Sequence, residues 1–125
     1  MKAIYRSASP YADDALNLPV HSVDTAIPYY ERTFGFRVES RENAPHARAI
    51  LSRDAVQIGL AENGRDPEQE GCFFEVDDVQ AAHAEIDAAG GKPGEIKLND
   101  NNGTPYRAFF VVAPDGLCYM VAQRA

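Results

Sequence analysis

The chain of 125 residues carries 12 Lys+Arg against 19 Asp+Glu, a formal net charge of −7, with 45% hydrophobic side chains and two cysteines. At this length it is one domain, or two small modules sharing a core, and it is too apolar to remain disordered. A pI near 4.8 without a basic run excludes the phosphate-neutralising surface of a nucleic-acid binder and disfavours anionic membranes, and no stretch approaches the roughly 20 apolar residues of a membrane span.

Residues 1–13 precede the first predicted strand as an arm. Their opening, MKAIYRSASPY, has no apolar h-region, so the expected compartment is a reducing cytoplasm. A first strand ends at Val20, with Leu16, Leu18 and Val20 facing the core and Ala15, Asn17 and Pro19 facing the other way. Ser22 then supplies an N-cap for a helix that stops at Gly35, and Pro28 inside it predicts a kink. Three strands follow, Arg37–Glu42, Ala47–Ser52 and Val56–Ala61, and the polar run 62–70 leads on. A strand ending at Val76 feeds a second capped helix at Asp78, whose Val79, Ala82, Ile86 and Ala89 make one apolar face before Gly90-Gly91. Three more strands are predicted at Lys92–Lys97, Tyr106–Val112 and Leu117–Ala122. The Asn-rich run Asn99–Gly103 is the longer link between them, a position suited to a lid, and Pro114-Asp115-Gly116 is the tight turn.

The chain is doubled. Val20-His21-Ser22-Val23 lies against Val76-Asp77-Asp78-Val79 at an offset of 56, and Asp54, Val56 and Leu60 lie against Asp115, Leu117 and Val121 at an offset of 61. Five inserted loop residues account for the change in offset. Each half reads β-α-β-β-β, so the fold class is α+β with two tandem modules, 14–61 and 71–125, joined by the linker 62–70 into one structural domain.

With the repeat in place, Tyr29-Tyr30-Glu31-Arg32-Thr33-Phe34-Gly35-Phe36 after the first cap and Ala113-Pro114-Asp115-Gly116 before the last strand complete a set. It resembles the vicinal oxygen chelate superfamily of glyoxalase I, bleomycin-resistance proteins and extradiol dioxygenases, over about residues 14–123. The wording departs from the family's at Tyr29 for Phe, Phe34 for Leu and Ala113 for Asp. The resemblance implies curled mixed sheets that form a cleft, with each helix on the convex side. Strand alternation then sends Val56, Ile58, Leu60, Cys72, Phe74, Val76, Leu117, Tyr119 and Val121 to the core.

The resemblance also implies four metal ligands, His, Glu or Gln, at the positions occupied here by Ala15, Gly59, Gly71 and Met120. The repeat supports that placement, since 71 − 15 = 56 and 120 − 59 = 61. None offers a nitrogen or oxygen side-chain donor, so no cofactor is expected. Gln57 and Glu75 face the cleft and are the candidates for a displaced metal site. His21, His46 and His83 show no ligand spacing, and alternation sends Cys72 and Cys118 to opposite faces, against a disulfide. The expected cleft has an apolar floor of Phe73, Tyr106, Phe110 and Met120 with polar points at Asn17, Arg48, Gln57 and Glu75; either Tyr106 or Arg107 points inward.

The reading is a metal-independent small-molecule-binding protein resembling the bleomycin-resistance branch, for a neutral or cationic ligand, acting as a homodimer without nucleic acid or membrane. The alternative is a lyase, isomerase or dioxygenase of the same superfamily that uses a divalent metal at a displaced site.

Overall fold

A computed structural model describes residues 3–10, 14–43, 46–101 and 103–125. In chain order the elements are β1 (Tyr5–Pro10), β2 (Leu18–Pro19), α1 (Val23–Phe34), β3 (Arg37–Glu42), β4 (Arg48–Arg53), β5 (Val56–Ala61), a 3₁₀ turn (Pro67–Gln69), β6 (Gly71–Val76), α2 (Val79–Ala88), β7 (Lys97–Asn101), β8 (Thr104–Val112) and β9 (Cys118–Arg124). They build a four-stranded sheet in the order β2-β5-β4-β3 and a five-stranded sheet in the order β1-β6-β9-β8-β7. The parallel pairs β2–β5 and β6–β9 occupy equivalent places in the two sheets, which is the sequence repeat expressed as topology.

Both helices start where the capping chemistry dictates. The Ser22 hydroxyl accepts from the Thr25 amide and the Asp78 carboxylate accepts from the Ala81 amide. Gly35 closes α1 in the left-handed region at φ 71°, where only glycine is unstrained. Val23, Ala26, Ile27, Tyr30, Thr33 and Phe34 of α1 are buried at helical spacing, and the helix runs unbroken through Pro28, whose ring is exposed.

The inner faces of both sheets share one core with the helices. Its centre is aromatic: Phe74 stacks on Tyr119 at 5.2 Å, and Tyr30 and Phe34 of the first module meet Tyr119 edge-on at 5.8 and 5.2 Å. The hydroxyls of Tyr30 and Tyr119 pair at 2.5 Å in this otherwise apolar setting, so each satisfies the other. Alternation in β5, β6 and β9 follows the sequence pattern, with Val56, Ile58, Leu60, Cys72, Phe74, Val76, Tyr119 and Val121 all buried.

Three expectations change. Residues 14–17 form a turn rather than the start of a strand, because the Asp14 carboxylate accepts from the Leu16 amide and the Asn17 side chain; Leu16 is 37% exposed instead of buried. The strand expected at Lys92–Lys97 begins only at Lys97 and runs to Asn101. Lys92 at φ 54°, Pro93 and Gly94 break the ladder before it. The Asn-rich run is therefore mostly strand, not a link, and the Asn101↔Thr104 register closes it as a two-residue hairpin with Gly103 at φ 85°. Asn102 itself lies outside the described residues.

The segment read as an arm is part of the fold as well. Its Tyr5–Pro10 is an outer strand antiparallel to β6, and three carboxylates hold the entry to it. Glu85 accepts from the Ala3 amide, Asp77 from Ile4 and Asp54 from Tyr5, at 3.2, 2.7 and 2.9 Å. Arg53 locks the same corner: its guanidinium donates to the carbonyls of Phe34 and Ala3 at 2.6 and 2.7 Å and to Glu85 at 3.0 Å, and lies 4.4 Å from the Tyr5 ring centre.

Candidate functional site

With the inner faces committed to the core, what remains is the outer face of each sheet. On the five-stranded sheet the register aligns Phe73 with Met120 and Met120 with Phe110, and Ala108 with Ala122 one row further on. The two alanines leave a hollow. Tyr106 settles over them and meets Phe73 edge-on, ring centroids 5.1 Å apart. Tyr106, Ala108 and Ala122 are buried, Phe73 and Met120 half-buried, and Phe110 is 46% exposed, so this second apolar cluster opens to solvent at its rim. Glu75 lies on the same face, in register with Ser7 of β1 and Ala122 of β9. Between the two inward candidates, Tyr106 takes the face and Arg107 does not, because alternation pairs Arg107 with Gln123 on the opposite side.

Five of the eight expected residues are thus gathered on one sheet: Phe73, Glu75, Tyr106, Phe110 and Met120. The other three belong to the four-stranded sheet and its flank. Gln57 is exposed on β5 opposite Ser52. Half-buried Arg48 donates to the Leu16 carbonyl at 3.2 Å and pairs with Glu42 at 3.8 Å. Asn17 is spent on the local turn, donating to Asp14 at 2.7 Å while its carbonyl accepts from Asn63. The hydrogen bonds from the Leu16 amide, first, and from Asn17 hold the Asp14 carboxyl below its ordinary pKa. Since both inner faces share one core, the two outer faces of a single chain look away from each other.

Sequence reasoning missed Ser7 and Ser9, which β1 places beside Glu75 and Phe73; the alternation in Tyr5–Pro10 was the available signal. It also missed a hollow of about 540 Å³, which lies away from both outer faces between Ala3, Ile4, the end of α1, Arg53 and Glu85. The Arg53 and Glu85 charges there pair with each other.

The four positions where the superfamily's metal ligands would stand do not suit a divalent ion. A β-carbon at Gly59 would lie 2.1 Å from the Leu16 carbonyl oxygen, and the Gly59 amide donates to the Ala15 carbonyl at 2.8 Å. The backbone of the 14–17 turn therefore fills the space a ligand side chain needs. Ala15 and Gly71 carry no donor, and Met120 offers only a soft thioether in an apolar cluster. Among the described residues no three His, Cys, Asp or Glu side chains gather to hold a metal. His83 bonds the Gly94 carbonyl at 2.9 Å and packs on Phe109, while His21 is exposed. Cys72 and Cys118 form no disulfide and lie on opposite faces of adjacent strands, and burial pushes the Cys72 pKa up to about 12.

No curated protein sequence matches the chain. Solved structures do: the bleomycin resistance determinant encoded on the transposon Tn5 (23% identity, 90% of this chain and 98% of that one, TM-score 0.72), a bleomycin-binding protein complexed with bleomycin (23%, 91% and 100%, TM-score 0.72), and TnmS3, an antibiotic-binding protein from Streptomyces sp. CB03234 (18%, 87% and 92%, TM-score 0.68). Both capped helices and strands β2 to β8 fall within the span of a family model that matches residues 14–117, and the chain belongs to the glyoxalase/bleomycin resistance protein/dioxygenase superfamily.

Proposed function

We propose that the protein binds a small organic molecule, neutral or cationic, without a metal and without transforming it, in the manner of the antibiotic-binding members of its superfamily. One observation carries this: the outer face of the five-stranded sheet carries an apolar cluster of Phe73, Tyr106 and Met120 that opens to solvent at its rim, with the Glu75 carboxylate beside it. Apolar walls with sparse polar groups are what a small-molecule site requires. The donor-free positions Ala15, Gly59, Gly71 and Met120 favour binding over metal-assisted chemistry. Sequestration needs affinity alone, with no preference for a transition state.

The outer faces diverge within one chain, so an enclosed cleft requires the five-stranded face of one copy and the four-stranded face of another. We read the working form as a homodimer in the cytoplasm, with Gln57 and Arg48 of one copy opposite the Phe73 cluster of the other. No helix among the described residues is long and apolar enough to cross a membrane.

The test is a thermal-shift screen of aromatic small molecules on the purified protein, with elemental analysis of the same sample. Expected are ligands that raise Tm in the native protein and not in Phe73→Ala, at sub-stoichiometric metal. Stoichiometric Fe, Mn, Ni or Zn, lost with Gln57→Ala or Glu75→Ala, overturns this reading in favour of a displaced metal site.

A further inference from the structure

Glu75 is the one acidic side chain among the described strand residues on the aromatic face, and it is half-buried beside Phe73. It makes no hydrogen bond or ion pair with any described residue, although the carboxylates of Asp54, Asp77 and Glu85 on the other side of the same region are all engaged. Its neighbours across the ladder, Ser7 and Ala122, carry no compensating charge. The cations of the sheet's strands near this face leave Glu75 unpaired: exposed Arg6, in the β1 bulge beside Ser7, makes no ion pair with a described residue. Lys97 is on the far edge strand and sits 3.9 Å from Glu95, and Arg124 is exposed at the chain's end opposite Tyr106.

An unpaired carboxylate against an apolar wall loses hydration whenever a ligand covers it, and only a cationic or strongly hydrogen-bond-donating ligand restores what is lost. A neutral or anionic ligand leaves the charge covered and uncompensated. The adjacent π faces of Phe73 and Tyr106 add attraction for a cation and none for an anion. The net charge of −7 biases encounter the same way.

We infer that the site selects an organic cation, an ammonium, amidinium or guanidinium carried on an aromatic body, with Glu75 as its counter-charge. This rests on the binding function proposed above and narrows it to a ligand class.

Three probes sharing one ring system separate the two claims: (2-naphthylmethyl)trimethylammonium, its uncharged isostere 2-neopentylnaphthalene, and 2-naphthylmethanesulfonate, each titrated by naphthalene fluorescence against the native protein, Glu75→Gln and Phe73→Ala. The expected result is a cation-to-isostere affinity ratio of about tenfold in the native protein, the sulfonate weakest, and a ratio near one in E75Q at an unchanged Tm. Phe73→Ala weakens cation and isostere together. A ratio near one in the native protein, or one that E75Q leaves intact, overturns the counter-charge while leaving the binding site standing. If no probe binds, or if Phe73→Ala changes nothing, the binding function itself fails, and the selectivity with it.

Discussion

Replacing Gly59 by alanine tests whether the Leu16 backbone fills the space beside this strand position. The new β-carbon would lie 2.1 Å from the Leu16 carbonyl oxygen, and ordinary contact begins at 3.4 Å, so the turn must retreat by 3.4 − 2.1 = 1.3 Å. That movement stretches the Gly59 amide bond to the Ala15 carbonyl, 2.8 Å, and the Arg48 bond to the Leu16 carbonyl, 3.2 Å. Two hydrogen bonds at about 1 kcal/mol each and an overpacking cost of about 1–3 kcal/mol come to about 3–5 kcal/mol. Removing glycine from a strand returns about 0.5–1 kcal/mol. The expected net loss is about 2–4.5 kcal/mol, a fall in Tm of about 8–18 °C for a domain of this size. Urea and thermal unfolding followed by far-UV circular dichroism read it directly, with exposed Gln57→Ala as the near-neutral control on the same strand. A Gly59→Ala protein within about 0.5 kcal/mol of the native one would falsify the reasoning: the Leu16 carbonyl would not then occupy the position, and a ligand side chain could.

Other outcomes follow from the core and the arm. Tyr30→Phe leaves the Tyr119 hydroxyl buried without a partner and costs about 1–3 kcal/mol, whereas Tyr30→Phe with Tyr119→Phe recovers most of that loss; additive single losses refute the pairing. Burial raises the pKa values of Cys72, Tyr30 and Tyr119. The folded state therefore keeps protons that the unfolded chain releases, and stability is full below the unfolded values near 9 and 10 and falls as pH rises beyond them. The urea midpoint should drop between pH 8 and pH 10.5, less steeply in Cys72→Ala, and a flat profile contradicts the burial. At pH 8 a thiol reagent should label Cys118 and reach Cys72 only on unfolding. Arg53→Met strands the Phe34 and Ala3 carbonyls and the Glu85 carboxylate, at a cost of about 2–4 kcal/mol, and should speed amide exchange at Ala3 and Tyr5; unchanged exchange there removes Arg53 as the clamp.

Much of this architecture is local information and was legible in the chain. Ser22 and Asp78 begin helices because a short oxygen-bearing side chain satisfies the first free amides, and Gly35 ends one because the left-handed turn excludes a β-carbon. Strand alternation placed Phe73, Tyr106, Phe110 and Met120 on one face, since side-chain direction depends only on parity once a register is known. Composition reads the Asn-rich run as a loop, although Asn99 to Asn101 pair with β8 and Gly103 takes the left-handed region.

What depended on contacts between distant residues was not legible. Asp14 turns the chain so that the Leu16 carbonyl lies over Gly59, 43 residues later in the sequence. The arm becomes β1 because Asp54, Asp77 and Glu85, from three separate elements, meet its amides. The eight expected site residues divide five and three between the five-stranded sheet and the four-stranded sheet with its flanking turn, because the aromatic core draws both inner faces together. Caps, periods and parity act within a turn or a strand pair, so a sequence states them directly, whereas which surface covers which is decided only when the whole apolar area finds its lowest-energy packing.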